Sequence, residues 1–163
     1  MTETSTGTQV YTLYIKASPE AIWDALTTSE WTQRYGYSGR VDYELRRGGA
    51  YRAYASQEML AGGAPDVVVQ GEVLDVGPPR RLVLAWRALF DSELATEPAS
   101  RLTWESEEAT EGGVTKLTLT HELGRAPKTA AIVGGGVPNT GGGWPYVLSD
   151  LKTLLETGRP LAG

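Results

Sequence analysis

The stretch WPYVLSDLKTLLETG, residues 144–158, decides the fold. Trp144, Val147, Leu148, Leu151, Leu154 and Leu155 recur every three or four residues, which places them on one stripe of a helix. Pro145 fits the first turn and Gly158 the C-terminal cap. A helix with one apolar stripe must bury it against another apolar surface. Upstream, the chain offers strands for that purpose. QVYTLYIK (9–16) puts Tyr11, Leu13 and Ile15 on one face, and RVDYEL (40–45) does the same with Val41, Tyr43 and Leu45. AYRAYA (50–55) groups Tyr51 with Ala53, and RLVLAWR (81–87) groups Leu82, Leu84 and Trp86. RLTWES (101–106) pairs Leu102 with Trp104, and TKLTLTHEL (115–123) aligns Leu117, Leu119 and His121. VVVQGEVLDV (67–76) is a further strand, in which Gly71 signals a bulge or bend. The turns between them are Arg46-Arg47-Gly48-Gly49, Gly77-Pro78-Pro79 and Glu111-Gly112-Gly113.

Two short helices follow the first strand. In SPEAIWDAL (18–26), Ser18 suits the N-cap, Pro19 the first helical position and Glu20 the positive end of the dipole. Ile22, Ala25 and Leu26 form its apolar stripe, and SEWTQRY (29–35) reads as a second helical turn capped by Ser29. Residues 60–66 and 91–99 read as loops. The expected fold is α+β: a curved antiparallel sheet of about seven strands gripping a long C-terminal helix, with one or two short helices after the first strand. Residues 1–8 are expected to fray, 9–158 to form one domain, and 159–163 to be a tail.

Composition narrows the function classes. The 163 residues carry a net charge of −5, with 40% hydrophobic and 21% charged side chains. An acidic chain gains nothing from counterion release, so nucleic acid is not an expected partner. The pairs Arg46-Arg47 and Arg80-Arg81 read as solvated strand ends. Without cysteine there is no disulfide, iron–sulfur cluster or thiolate zinc site. The start MTETSTGTQ lacks the basic and apolar regions of a secretory signal, and no apolar run approaches a membrane span, so a cytoplasmic protein is expected.

GGGVPNTGGGW (134–144) invites a phosphate-binding reading. Gly136 and Gly141 have P-loop spacing, but Gly142 and Gly143 stand where Lys and Ser or Thr are required. The dinucleotide fingerprint fails at Asn139. The segment reads instead as a flexible connection into the last helix, with a mobile gate as the sharper alternative. His121 is the one histidine, and HELGR lacks the second histidine of a metalloprotease, so no metal or other cofactor is expected. His121 shares a face with Leu117 and Leu119. It reads as a hydrogen-bonded core residue or as a polar anchor for a ligand; no catalytic residue is nominated. The acidic segments 91–97 and 105–111 read as solvated.

Aromatic usage is the strongest pointer. The chain has five Trp and eight Tyr against one Phe. Tyr43, Tyr51, Trp86 and Trp104 fall on inward faces, with Trp144 and Leu148 on the inner helix stripe. Buried Trp and Tyr need partners for their N–H and O–H groups, and a cavity with apolar walls and a few polar tips suits this mixture better than a solid core. Tyr43, Tyr51, Trp86, Trp104, His121, Trp144 and Leu148 are therefore the candidate ligand-binding residues. Trp23 and Trp31 read as packing residues of the helical layer.

The order of IKASPEAIWDALT (15–27), Trp31, VDYELRRGGAY (41–51), GEVLDVGPPRRLVLAW (71–86), TKLTLTHE (115–122) and Trp144 with LSDLKTLLETG (148–158) resembles the helix-grip, START-like superfamily (SRPBCC). Within it the chain is similar to the branch named for homologues of the activator of the heat-shock protein 90 ATPase. The resemblance implies a cavity between sheet and C-terminal helix. It further implies three functional expectations: binding of a small, largely apolar molecule; a co-chaperone-like interaction with a chaperone ATPase; or a polyketide cyclase or dehydratase. The enzymatic reading, for which His121 with Tyr43 or Tyr51 is the one available pair, is the least favoured.

Overall fold

A computed structural model describes residues 7–161. The elements are β1 (Thr8–Ile15), α1 (Pro19–Thr27), α2 (Ser29–Thr32), β2 (Val41–Tyr43), β3 (Ala50–Tyr54), α3 (Gln57–Ala61), β4 (Val67–Gly77), β5 (Arg81–Ala88), α4 (Ser92–Ala95), β6 (Ser100–Thr110), β7 (Val114–Glu122), α5 (Pro127–Val133) and α6 (Gly143–Thr157). The strands form one sheet in the order β1-β7-β6-β5-β4-β3-β2, antiparallel at each pairing. The α+β helix-grip architecture expected from the sequence is the one observed.

Local chemistry explains the helices. The Ser18 hydroxyl accepts the Ala21 N–H and opens α1 just before Pro19. At the far end of α6, Gly158 adopts φ 81° and donates its N–H to the Leu154 carbonyl. That left-handed cap is cheap only without a Cβ. Leu148, Leu151 and Leu154 on α6 are buried in one cluster with Ile15, Leu82, Leu84, Leu102, Leu117 and Leu119 from the sheet and Ile22 from α1.

Several local expectations are corrected. β2 ends at Tyr43, and Leu45 is exposed rather than on an inward face. The segment 91–99, read as a loop, holds the short helix α4, begun by the Asp91 side chain, and the helix α3, begun by the Ser56 side chain, runs into the loop read at 60–66. The glycine-rich connection is preceded by a further helix, α5, whose own N-cap residue, Ala126, supplies no side-chain bond. Glu97 supplies it from a distance: its carboxylate accepts the Lys128 and Thr129 N–H groups and the Thr129 hydroxyl. Glu97 is thus a helix cap rather than a solvated charge. Burial opposes its ionisation, but these donors outweigh burial and hold its pKa below the usual value. Gly71 marks neither bulge; the register shifts lie at Ala53/Tyr54 and Val73/Asp75. A side chain at Gly71 would instead overlap the Ala85 carbonyl of the adjacent strand.

The expected frayed segment overlaps β1, because Thr8 already pairs with Glu122; residues 1–6 lie outside the described residues. In the expected tail, the Leu161 N–H donates to Asp150, and residues 162–163 lie outside the described part. The paired arginines make exposed ion pairs, among them Arg47–Asp75 at 3.1 Å and Arg81–Glu105 at 2.7 Å. Pairs of this kind contribute little stability.

Candidate functional site

At one end of the grip the helices stand clear of the sheet. They leave a cavity of about 680 Å³. Its sheet wall is Tyr51, Ala53, Val68, Val69 and Trp86, and Phe90 extends it beyond β5. The opposite wall is Ile132 and Val133 of α5 with Trp144 and Val147 of α6. The rim carries the exposed residues Tyr37, Ser38, Glu58 and Asn139. The half nearer β1 and β7 is solid: Ile15, Leu117, Leu119, Leu151 and Leu154 are buried, and none of them reaches the cavity.

The glycines hold the mouth by close packing. Gly143 has φ 63°, and a Cβ there would overlap the Val133 carbonyl. Helix α6 starts without a side-chain cap from its own N-cap residue, Gly142. Tyr37 substitutes for it: its hydroxyl accepts the Gly143 N–H at 3.2 Å and donates to the Thr140 carbonyl at 3.1 Å. A side chain at Gly141 would collide with the Tyr37 ring. The other side of the mouth is braced by Asp150, buried on α6, which accepts the Gly36 N–H at 2.9 Å and the Leu161 N–H at 2.8 Å.

His121 lies behind this wall, fully buried. The Trp144 indole N–H donates to its Nδ1 at 3.0 Å. Its Nε2 lies 2.7 Å from the Ser100 hydroxyl, which donates its own proton to the Trp86 carbonyl at 3.0 Å. Both contacts require the same tautomer. Nδ1 accepts, so Nε2 carries the proton and donates to Ser100. Burial lowers the His121 pKa to about 4, which keeps the ring neutral. The Trp86, Trp104 and His121 rings surround Trp144 at centroid distances of 6.0, 5.7 and 5.9 Å.

Tyr43 and Tyr51 stack at 4.6 Å between centroids. Burial pushes the Tyr51 pKa up to about 12, with the neighbouring Trp86 indole and Tyr43 hydroxyl opposing the rise. Tyr43 is likewise pushed well above its usual value, by burial first and then by Tyr51 and Tyr35.

Of the seven candidate residues, Tyr51, Trp86 and Trp144 line the cavity. Tyr43, Trp104, His121 and Leu148 do not. Tyr43 sits behind Tyr51, Trp104 and His121 sit behind Trp144, and Leu148 is part of the core. Among the residues that sequence reasoning missed are Tyr35, Tyr37, Phe90, Ile132, Ser100 and Asp150. Phe90 and Ile132 belong to segments without a long periodic pattern. Asp150 lies off the apolar stripe of its helix, so its burial has no local signal. No group of three or more His, Cys, Asp or Glu suited to a metal ion occurs among the described residues. No helix among them is long and apolar enough to cross a membrane.

No curated protein matches this sequence. Solved structures resemble it in fold. An HSP90 activator from Plasmodium falciparum is 19% identical, with 91% of this chain and 96% of that one covered and a TM-score of 0.63. CalU16 from Micromonospora echinospora is 24% identical over 94% of this chain and 76% of that one, with a TM-score of 0.64. The Aha1 dimer from Colwellia psychrerythraea is 20% identical over 93% and 97%, also with a TM-score of 0.64. At these identities the likeness speaks to fold alone. The model of the family described as Activator of Hsp90 ATPase homolog 1-like protein matches residues 16–156. The chain therefore belongs to that family, within the helix-grip START-like superfamily.

Proposed function

We propose that this protein binds a small, largely apolar molecule in the cavity between β3–β5 and helices α5 and α6. The observation that carries the reading is the cavity itself: about 680 Å³ beside a solid core, walled by Trp86, Phe90, Trp144, Val68 and Val69. Ligand sites have this size and this balance of apolar wall and sparse polar tips. The Tyr37 hydroxyl, bonded to both Thr140 and Gly143 at the rim, acts as the latch through which a guest enters. Native mass spectrometry of the purified protein tests the reading. The expected result is a co-purified small molecule that is lost when Ala53→Trp fills the cavity while the melting temperature holds. A guest retained by the filled variant refutes it.

A second reading is favoured by the family match: an interaction module acting on a chaperone ATPase. Stimulation of a purified Hsp90 ATPase by this chain, undiminished by Ala53→Trp, supports that reading over the first. A cyclase or dehydratase role finds less support. His121 is neutral, bonded at both nitrogens and separated from the cavity by Trp144, so acid–base work would fall to tyrosines alone.

A further inference from the structure

The polar groups of the cavity divide by what they already bond. Tyr35 donates to the Ala25 carbonyl at 2.7 Å, and Thr32 to the Gly39 carbonyl at 2.8 Å. Trp144 spends its N–H on His121 and Tyr37 its O–H on Thr140. Tyr51 differs. Its ring stacks on Tyr43 in the cavity wall, and among the described residues its hydroxyl proton has no hydrogen-bond acceptor, so the hydroxyl is available as a donor. That donor stands on the cavity wall among apolar side chains.

Charge sets the second constraint. Glu58, on the rim, is the one Asp, Glu, Lys or Arg among the described lining residues. The buried Asp150 carboxylate lies next to Tyr35, another wall residue. An anionic guest would lose its hydration and meet no cation on the cavity wall itself; the Arg40 guanidinium lies over the ring of Tyr54, a lining residue, while Glu58 and the Asp150 carboxylate stand nearby. A single hydroxyl donor does not offset burial of a carboxylate.

We propose that the cavity, read as the ligand site above, selects neutral apolar molecules that set a carbonyl-type acceptor against the Tyr51 hydroxyl, and that it rejects carboxylates such as free fatty acids. The apolar walls hold the body of the guest, the aromatic rings favour a planar one, and the Tyr51 proton fixes its orientation.

Calorimetric titration at neutral pH with 2-ethylnaphthalene, 2-acetylnaphthalene and 2-naphthoate tests this. The three share one ring system and differ in acceptor and charge. The ketone is expected to bind about tenfold tighter than the hydrocarbon, the scale of one hydrogen bond that leaves no group unpaired, and more tightly still relative to the carboxylate. Tyr51→Phe is expected to abolish the ketone's advantage over the hydrocarbon, both measured in the same variant, with retained hydrocarbon binding reporting an intact pocket. Naphthoate binding as tightly as the ketone, or a ketone advantage that survives Tyr51→Phe, overturns the proposal. Equal binding of all three leaves the ligand-binding reading standing and removes this inference. Failure of all three to bind removes both.

Discussion

His121 is held in one protonation state by its neighbours. Trp144 donates to Nδ1, so a proton there would face another donor, and burial already lowers the pKa to about 4. The consequence for stability has a definite sign. In the unfolded chain the histidine titrates near 6.5, so between about pH 6.5 and 4 the unfolded state binds more protons and stability falls as pH falls. The contribution is fully present above pH 6.5. About 2 kcal/mol of it is expected to be lost between neutral pH and pH 5, and most of the rest by pH 4. Urea denaturation across this range checks it, with His121→Gln as the reference that lacks this contribution; equal slopes for the two proteins would contradict the assignment. A companion variant, Trp144→Phe, keeps an aromatic ring but leaves Nδ1 without its donor. It is expected to cost about 1–3 kcal/mol, the penalty for an unsatisfied buried acceptor, measured by the same denaturation. At this scale the sequence was half legible. Alternation with Leu117 and Leu119 turned His121 inward, but its partners come from β6 and α6, and no local pattern joins Ser100 or Trp144 to it.

The helices divide in the same way into local and distant causes. Helix α6 announces itself through its apolar period and Gly158, and Leu151 at its centre is fully buried. Leu151→Ala is expected to cost about 2–5 kcal/mol from transfer and cavity terms. Leu151→Asp should cost more, because it also buries an unpaired carboxylate; a melting temperature equal to wild type would mean that the helix does not face the sheet. Helix α5 had no such signal, because its cap is Glu97, brought to it by the fold. The glycines between these helices looked like a flexible link. Their composition reflects space as well: at Gly143 the α6 backbone meets the Val133 carbonyl of α5. Tyr37→Phe removes the hydroxyl that joins Gly143 to Thr140. It is expected to lower stability by about 1 kcal/mol, as for a lost helix cap, and to speed guest exchange in stopped-flow fluorescence. An exchange rate equal to wild type would free the mouth from control by Tyr37.

For the whole molecule, the order of strands and helices carried the architecture, and the aromatic composition pointed to a cavity. The sequence did not show where the cavity stops. Inward-facing residues are alike in pattern whether they line a void or fill it. Tyr51 and Trp86 reach the space, whereas Trp104 and Leu148, equally inward by period, pack behind it. That division depends on how far each helix stands from the sheet, a property of the assembled layers. The central claim, that this space receives an apolar guest, is tested most directly by the five tryptophan indole N–H signals in a nitrogen–proton correlation spectrum. Titrating 2-acetylnaphthalene into the labelled protein should shift the Trp86 and Trp144 signals together and saturably, while Trp23 and Trp31, which do not line the cavity, stay in place. Shifts confined to Trp23 or Trp31, or no shift at Trp86 and Trp144 at saturating probe, would contradict it.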